Sequence, residues 1–380
     1  MPGKKDAGRR SAPPELAGIF SAFSPATGLA AVEPYGLGHI HQTYRVRMRE
    51  RPNRDYILQR INTRIFTDIP RLMENIVRVT GHVRRKVAAS PGGDPDREVL
   101  TVVPALDGRP FHLDETGSYW RCFVFIEHQE LGERPRDPRK AFEAGLLFGR
   151  FVSQLSDLPP ASLHEVIPRF HDVEFRLGEF AKALQDDPLK RRQGAGEEVA
   201  FVLARAEEMK RVLVAGREGR IQLRVTHNDT KFNNVLFDRA GRGLCLIDLD
   251  TVMPGYVQYD FGDAVRSVAN KASEDEESLE RVGIDLGVFR ELARGFLHSL
   301  HGSLGAEEIG LLACAAKLFP YMIGLRFLSD HLAGDLYFKT ARPGHNLRRA
   351  RAQFALLADM ELHFAEMEET IFELAGKKDA

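Results

Sequence analysis

Two stretches of the chain carry residue types that can do chemistry together. One is His227-Asn228-Asp229-Thr230-Lys231-Phe232-Asn233-Asn234, and the other is Ile247-Asp248-Leu249-Asp250. A carboxylate at Asp229 can accept or orient the proton of an attacking hydroxyl. The amide of Asn234 and the carboxylate of Asp248 can hold Mg²⁺. Phosphoryl transfer asks little covalent chemistry of a protein. It asks for positioning and for cancellation of phosphate charge, and a carboxylate beside an amide–carboxylate metal site is enough for that.

The segments between these residues predict how they are brought together. Val235-Leu236-Phe237 has the composition of a short strand, Asp238 to Gly243 that of a turn, and Leu244-Cys245-Leu246-Ile247 that of the returning strand. Such a hairpin carries Asn234 and Asp248 back to one end, where a single cation can bridge them. The competing reading is a polar loop beside a buried hairpin, with Asp and Asn as turn formers. Two matched motifs on one hairpin favour the metal site.

The rest of the chain divides into a strand-rich part and a helical part. Leu16 to Phe23 predicts a short leading helix. Alternation across Tyr44, Val46 and Met48 predicts a strand, as do Asp55 to Arg60, Val99 to Pro104 and Trp120 to Ile126. Pro70 opens an amphipathic helix from Arg71 to about Lys86, with Leu72, Ile76 and Val79 on one side. Helical patterns follow over 141–156, 170–184, 197–214, 286–300, 306–328 and 348–375. Glu274 to Glu277 suits a solvated helix start or loop. Strands first and helices later, with the chemistry where they meet, predict an α+β chain of two lobes. The expected limits are a flexible tail at 1–14, a small antiparallel-sheet lobe at 15–128 that takes a nucleotide, and a larger helical lobe at 129–380 for catalysis and the acceptor.

A triphosphate needs close backbone approach and positive charge. Gly36 and Gly38 frame a turn before the strand through Thr43, and His39 follows it, so amides here can approach phosphates. On the next strand a lysine is expected at Gln59 or Arg60, and neither is one. Arg60 can supply the charge with Glu74 as its partner; alternatively Gln59 faces the nucleotide, since alternation lets only one of them do so. The backbone from Phe125 to Glu127 would bond adenine, with Phe125 and Ile126 as apolar contacts. For the acceptor, Arg326, Asp330 and Tyr337 form a charged and aromatic cluster late in the helical part, with Asp330 expected to orient Arg326 from one turn away. His171 and Arg176, beside Phe170 and Asp172, make a second polar cluster, and Asp263 or Arg266 could also face the acceptor.

Bulk composition narrows the class. The chain has 380 residues, more than one core usually serves, with 43% hydrophobic and 28% charged residues. A net charge of −1 does not suit a nucleic-acid or membrane-surface binder. No apolar run looks long enough to cross a bilayer, and the basic N-terminus lacks the apolar core of a secretory signal. Cys122, Cys245 and Cys314 are odd in number and widely spaced, which fits no disulfide framework or metal site and suits a cytoplasmic protein.

The chain resembles the choline and aminoglycoside kinase superfamily, which has a protein-kinase-like fold. Within it the chain is most similar to bacterial N-acetylhexosamine 1-kinases. The resemblance rests on 36–44, 58–62, 227–231, 247–255 and the segment from Arg326 to Lys339, and it spans roughly Ala31 to Phe354. It implies an ATP- and Mg²⁺-dependent transfer to the anomeric hydroxyl of N-acetylglucosamine or N-acetylgalactosamine. It implies Asp229 as base, Asn234 and Asp248 as metal ligands, and Asp250, Arg326 and Tyr337 near the acceptor. Gln59-Arg60 is also what such sugar kinases resemble. A kinase of an aminoglycoside or choline-like amino alcohol is the alternative, and a non-catalytic ATP-binding protein is a further one. The expected partners are ATP and a small acceptor, with no nucleic acid or membrane, in a monomer or homodimer.

Overall fold

Apolar residues at alternate strand positions decide the first unit. Val32, Val46, Leu58, Trp120 and Cys122 are buried together with Phe20 and Phe23. The computed structural model describes residues 14–24, 28–36, 40–49, 54–129, 132, 135 and 137–376. The chain divides into two units, Met1–Glu127 and His128–Ala380.

The first unit contains α1 (Pro14–Ser21), β1 (Leu29–Pro34), β2 (Gln42–Met48), β3 (Tyr56–Arg60), α2 (Ile69–Ala89), α3 (Pro95–Glu98), β4 (Val102–Val103), β5 (His112–Leu113) and β6 (Tyr119–Val124). The strands form one antiparallel sheet in the order β1-β2-β3-β6-β4, with β5 on β6. Pairing sets Thr43, Gln59 and Arg121 in one row across β2, β3 and β6. Gln42, Arg60 and Trp120 form the next row, on the opposite face. Asp68 caps α2 by accepting from the Arg71 amide, and Leu72, Met73, Ile76, Val79 and Val83 make its buried stripe. The helix is longer at both ends than the sequence pattern predicts. The expected strand over 99–104 shrinks to two residues.

The second unit is mainly helical: α4 (Pro138–Gln154), α5 (Val173–Asp186), α6 (Gly196–Arg205), α7 (Arg211–Arg217), α8 (Val257–Val268), α9 (Leu286–Ser299), α10 (Ala306–Gly310), α11 (Leu312–Ala333), α12 (His345–Leu362) and α13 (Phe364–Gly376). Between α7 and α8 lie two small sheets. β7 (Arg224–Thr226) pairs with β10 (Met253–Gly255), and β8 (Val235–Phe237) pairs with β9 (Gly243–Leu246). α11 is the central post, against which α5, α8 and α12 pack. α4 lies along α9 so closely that a Cβ on Gly145 would sit 2.1 Å from the Leu292 carbonyl oxygen.

Several helices differ from their predicted extents. The pattern over 197–214 breaks at a 3₁₀ turn, Glu208–Lys210, and that over 348–375 breaks at His363. The pattern over 306–328 breaks at Leu311 and runs on to Ala333, while Glu274 to Glu277 lie in a loop. α8, β5, β7 and β10 have no counterpart among the expected elements. α11 also corrects the reading that no apolar run is long enough to cross a bilayer. It is long and apolar enough, and 83% of its apolar window is buried inside the fold.

Candidate active site

The loop between β7 and β8 is held from below by backbone bonds. Asp260, near the start of α8 and 1% exposed, accepts from the amides of His227 (2.9 Å) and Asn228 (2.7 Å). Its own carbonyl accepts from Thr230 Oγ1 at 2.5 Å. Thr251 Oγ1 donates to the His227 carbonyl, and Asn228 Nδ2 to the Thr251 carbonyl. His227 donates from Nε2 to the Ile247 carbonyl at 3.1 Å, and its Nδ1 accepts from the Asp229 amide. These bonds hold Asn228 at φ +63°, a left-handed conformation that Asn tolerates better than most residues. The loop is thus fixed before any substrate arrives.

Asp229 projects from this loop with its side chain 19% exposed, and its Oδ1 lies 2.7 Å from Lys231 Nζ. Burial pushes the Asp229 carboxyl up, but the charge and hydrogen bond of Lys231 outweigh it and hold the group below the usual carboxylate range. Lys231 is driven the other way: burial lowers it, and Asp229 raises it further. Asp229 is therefore ionised at neutral pH. Asn234 Nδ2 donates both to the Asp229 carbonyl (2.8 Å) and to its Oδ2 (3.1 Å). With the amide nitrogen so engaged, the amide oxygen is the atom Asn234 can offer to a hard cation.

The β8–β9 hairpin does what its sequence predicts. Val235 pairs with Leu246, and the Ile247 amide donates to the Asn234 carbonyl at 2.9 Å, which puts Asn234 and Asp248 at one end. Asp248 is exposed and sits at φ +61°. Asp250 follows in the 3₁₀ turn Leu249–Thr251 and is 3% exposed, and one of its carboxylate oxygens lies within 4.8 Å of one from Asp248. An amide oxygen and carboxylates are the ligand types a magnesium ion takes, so the donor set fits one.

The acceptor candidates separate into two groups. Arg326 is ringed by Phe170, Tyr337 and Phe338, with its guanidinium carbon 5.5, 5.7 and 5.5 Å from their centroids. Among the described residues no hydrogen bond or ion pair joins Arg326 to another group. Burial, and next the charge of Arg176, hold its pKa below the ordinary arginine value. Arg176 donates to the Phe170 carbonyl and to Glu179. Asp330 is not the partner of Arg326 that the one-turn spacing predicts. Its carboxylate accepts from the amides of Leu336, Tyr337 and Phe338 and from Asn346 Nδ2. It ties down the segment that presents Tyr337, which is 56% exposed. His171 donates from Nε2 to the Asn228 carbonyl at 2.9 Å, and burial pushes it down to about 3. It props the loop and carries no charge. Asp263 and Arg266 are buried against each other, 4% exposed apiece, and Arg266 also bonds Glu274.

In the first unit, Gly36 has φ +78°, while Gly38 and His39 lie outside the described residues. Gln59 Nε2 donates to Thr43 Oγ1 at 3.0 Å, and Gln59 Oε1 accepts from Arg121 Nε at 2.9 Å. Arg60 is exposed on the other face and donates to Ser118 Oγ. Glu74 lies on the exposed side of α2. Phe125 stacks under Arg45, and the Glu127 carbonyl accepts from Arg97. Two basic residues went unassigned in the sequence. Lys231 sits inside the quoted motif, where its position two after Asp229 was the available signal. Arg121 lies in an apolar strand and gave none.

A family model described as "Phosphotransferase enzyme family" matches residues 31–294. The chain belongs to that family, and its activity is the transfer of a phosphoryl group to a small molecule. Its fold is kinase-like and two-lobed, with a small antiparallel sheet and a mainly helical remainder. The chain is similar to the structure of a microcompartment-associated aminopropanol kinase, at 17% identity and a TM-score of 0.63, covering 93% of this chain and 98% of that one. It is similar to a choline kinase from Cryptosporidium parvum Iowa II, at 12% identity and a TM-score of 0.59, with 94% and 96% covered. An amicoumacin kinase in complex with AMP-PNP, Ca²⁺ and Ami matches at 13% identity and a TM-score of 0.55, with 94% and 92% covered. At these identities the likeness is one of fold.

Asp260 gives the site a pH dependence. Burial raises its carboxyl to about 6, against 3.8 for an ordinary aspartate. Because the folded value is the higher one, the folded protein binds this proton before the unfolded chain does. The group therefore adds stability as pH falls from about 6 toward 3.8, and costs stability above that window. The loop amides lose a charged acceptor over the same range, so kcat falls through about pH 6 without unfolding. A pH–rate profile of Asp260→Asn checks this: its acid limb near pH 6 disappears at a lower plateau. A wild-type limb in that variant assigns the titration elsewhere.

Proposed function

We propose that the protein is an ATP- and Mg²⁺-dependent kinase that phosphorylates the anomeric hydroxyl of N-acetylglucosamine or N-acetylgalactosamine to the sugar 1-phosphate. In this reading the unit ending at Glu127 takes the nucleotide, and the unit from His128 carries out catalysis and binds the acceptor. Asp229 accepts a hydrogen bond from the sugar hydroxyl and aims its oxygen at the terminal phosphorus. Its depressed pKa suits a loose transition state, in which the proton leaves late and a weak base suffices. Lys231 lies beside it to offset charge. Asn234 and Asp248, with Asp250 alongside, would hold Mg²⁺, which when bound would draw charge from the phosphates.

The observation that carries the acceptor reading is Arg326. A guanidinium walled by three aromatic rings, with Arg176 next to it and no anionic partner among the described residues, suits a polar acceptor that supplies oxygens. It suits a cationic amine less well, because Arg326 presents a like charge with no ion-pair partner among the described residues, whereas Arg176 is paired with Glu179. An acetamido carbonyl and ring hydroxyls offer such oxygens beside apolar sugar faces for Tyr337 and Phe338. The aminopropanol, choline and amicoumacin kinases support the kinase reading, and the AMP-PNP and Ca²⁺ of the last support a nucleotide with a divalent ion.

The test is ATP consumption against free hexosamines, N-acetylhexosamines, hexoses, choline, aminopropanol and aminoglycosides. Turnover with N-acetylhexosamines is expected. Turnover with amines and with no sugar overturns the reading. Arg326→Ala should raise the KM for the sugar and leave that for ATP nearly unchanged, because sugar oxygens lose a charged donor worth about 1–3 kcal/mol. A parallel rise in both KM values makes Arg326 a packing residue.

A further inference from the structure

The peptide that joins Asn228 to Asp229 is held at both ends by imidazoles. Its N–H, on Asp229, donates to His227 Nδ1 at 3.3 Å. Its carbonyl, on Asn228, accepts from His171 Nε2 at 2.9 Å. A peptide group is planar, so a bond at each end fixes its plane, and with it the direction in which the Asp229 side chain leaves the backbone. Asp260 and Thr251 grip the two preceding peptides.

The two histidines look to different parts of the site. His227 donates to the carbonyl of Ile247, the residue before Asp248, at 3.1 Å. His171 comes from the turn before α5 and is 7% exposed. Its ring lies 4.3 Å from that of Phe170, 5.0 Å from Phe319 and 5.2 Å from Tyr259. Phe170 is in turn one of the rings around Arg326, 5.5 Å from the guanidinium carbon. Arg169 makes the turn that delivers Phe170 and His171, at φ +55° and 4.6 Å from the Phe175 ring. A left-handed arginine is a costly conformation that persists where the surrounding structure imposes it. We propose that His171 is a positioning residue for phosphoryl transfer, which through the Asn228 carbonyl sets Asp229 in register with an acceptor held at Phe170 and Arg326. The proposal rests on the reading of Arg326 as part of the acceptor site. Burial keeps the His171 ring neutral, so its bond does not change with pH in the working range. Without that donor the Asn228 carbonyl lacks a partner among aromatic rings, and the peptide turns to find one. A misplacement of about 1 Å at the reacting atoms costs on the order of 10²-fold in rate. Water then competes: its oxygen forms the new bond to phosphorus in place of the acceptor's, giving ADP and inorganic phosphate.

The experiment compares the full chain with His171→Gln, His171→Asn and His171→Phe. The glutamine amide reaches as far as Nε2, the asparagine amide stops short, and phenylalanine fills the ring's place with no donor. ADP and phosphorylated acceptor are counted in one assay, with whichever compound of the acceptor panel the wild type turns over best. His171→Asn and His171→Phe are expected to lose about 10–100-fold in kcat at an unchanged KM for ATP, and to form ADP in excess of phosphorylated acceptor. His171→Gln should restore most of the kcat and the one-to-one ratio. The two amide variants decide the matter if His171→Phe does not fold. Equal losses in His171→Gln and His171→Asn, with the product ratio still one to one, overturn the proposal and leave His171 a packing residue. Wild-type kcat in a folded His171→Asn overturns it as well. If the wild type prefers an acceptor other than an N-acetylhexosamine, the sugar reading falls, and the same three variants test His171 with that acceptor. A wild type that turns over no compound of the panel removes the acceptor reading of Arg326 and the proposal with it.

Discussion

Replacing Asp229 by alanine is expected to lower kcat by about 10²–10⁴-fold while nucleotide affinity stays close to wild type. The carboxylate lies between Lys231 Nζ at 2.7 Å and Asn234 Nδ2 at 3.1 Å, so it is aimed from two sides. Its loss removes the acceptor for the attacking hydroxyl and leaves Lys231 facing no anion at that point. The loop backbone survives, because its bonds run to the Asp260 carboxylate and the Thr251 side chain and do not involve the Asp229 side chain. Asp229→Asn separates shape from charge. It keeps an oxygen for the hydroxyl proton but cannot compensate Lys231, so its kcat should also fall steeply. Thermal melting confirms that each variant folds. Near-normal turnover in a folded Asp229→Ala would show that the residue neither orients nor deprotonates the acceptor.

What could be read in the sequence was local. The β8–β9 hairpin was legible because two apolar runs flank a turn-rich segment, and the register that joins Asn234 to Ile247 follows from that length. α8 was not legible, although it holds the most important brace. Gln258, Asp260, Asp263 and Arg266 are all buried in it, so the helix has no polar outer face to set a period. Its polar residues are consumed by the loop above and by an internal ion pair, and only the fold reveals that. Asp330 misled for a related reason. Four residues after Arg326 it looks like a surface pair, yet the chain doubles back at Gly334, φ +106°, and Asp335, φ +62°, and delivers three amides to its carboxylate. Arg121 was hidden inside Tyr119–Val124, where Trp120, Cys122 and Phe123 advertise nothing but a buried strand. The same burial explains why alternation alone could not decide between Gln59 and Arg60, whereas the pairing of β3 with β6 separates their faces.

The second large effect expected is at Asp248. Asp248→Asn should raise the concentration of Mg²⁺ needed for half-maximal activity and lower kcat at saturating metal. The exposed carboxylate stands at one end of the hairpin beside Asn234, and within 4.8 Å of an oxygen of Asp250. Two carboxylates this close repel, so the pair is costly unless a cation lies between them or nearby. Removing one charge weakens attraction for the cation in proportion to the positive charge the site must hold, and a polyphosphate brought with the metal loses its counter-charge. The change is nearly isosteric, so the φ of +61° at this position remains accessible to the new asparagine, which adopts left-handed conformations readily. A loss of activity is thus attributable to charge and not to a disturbed turn. Titration of Mg²⁺ at fixed ATP and fixed sugar separates the outcomes. A curve displaced to higher Mg²⁺ identifies Asp248 as a ligand. If the curve does not move and only kcat falls, the carboxylate acts on the transferred group without holding metal. An unchanged curve and an unchanged kcat together would remove Asp248 from the site, leaving Asn234 and Asp250 as the ligands.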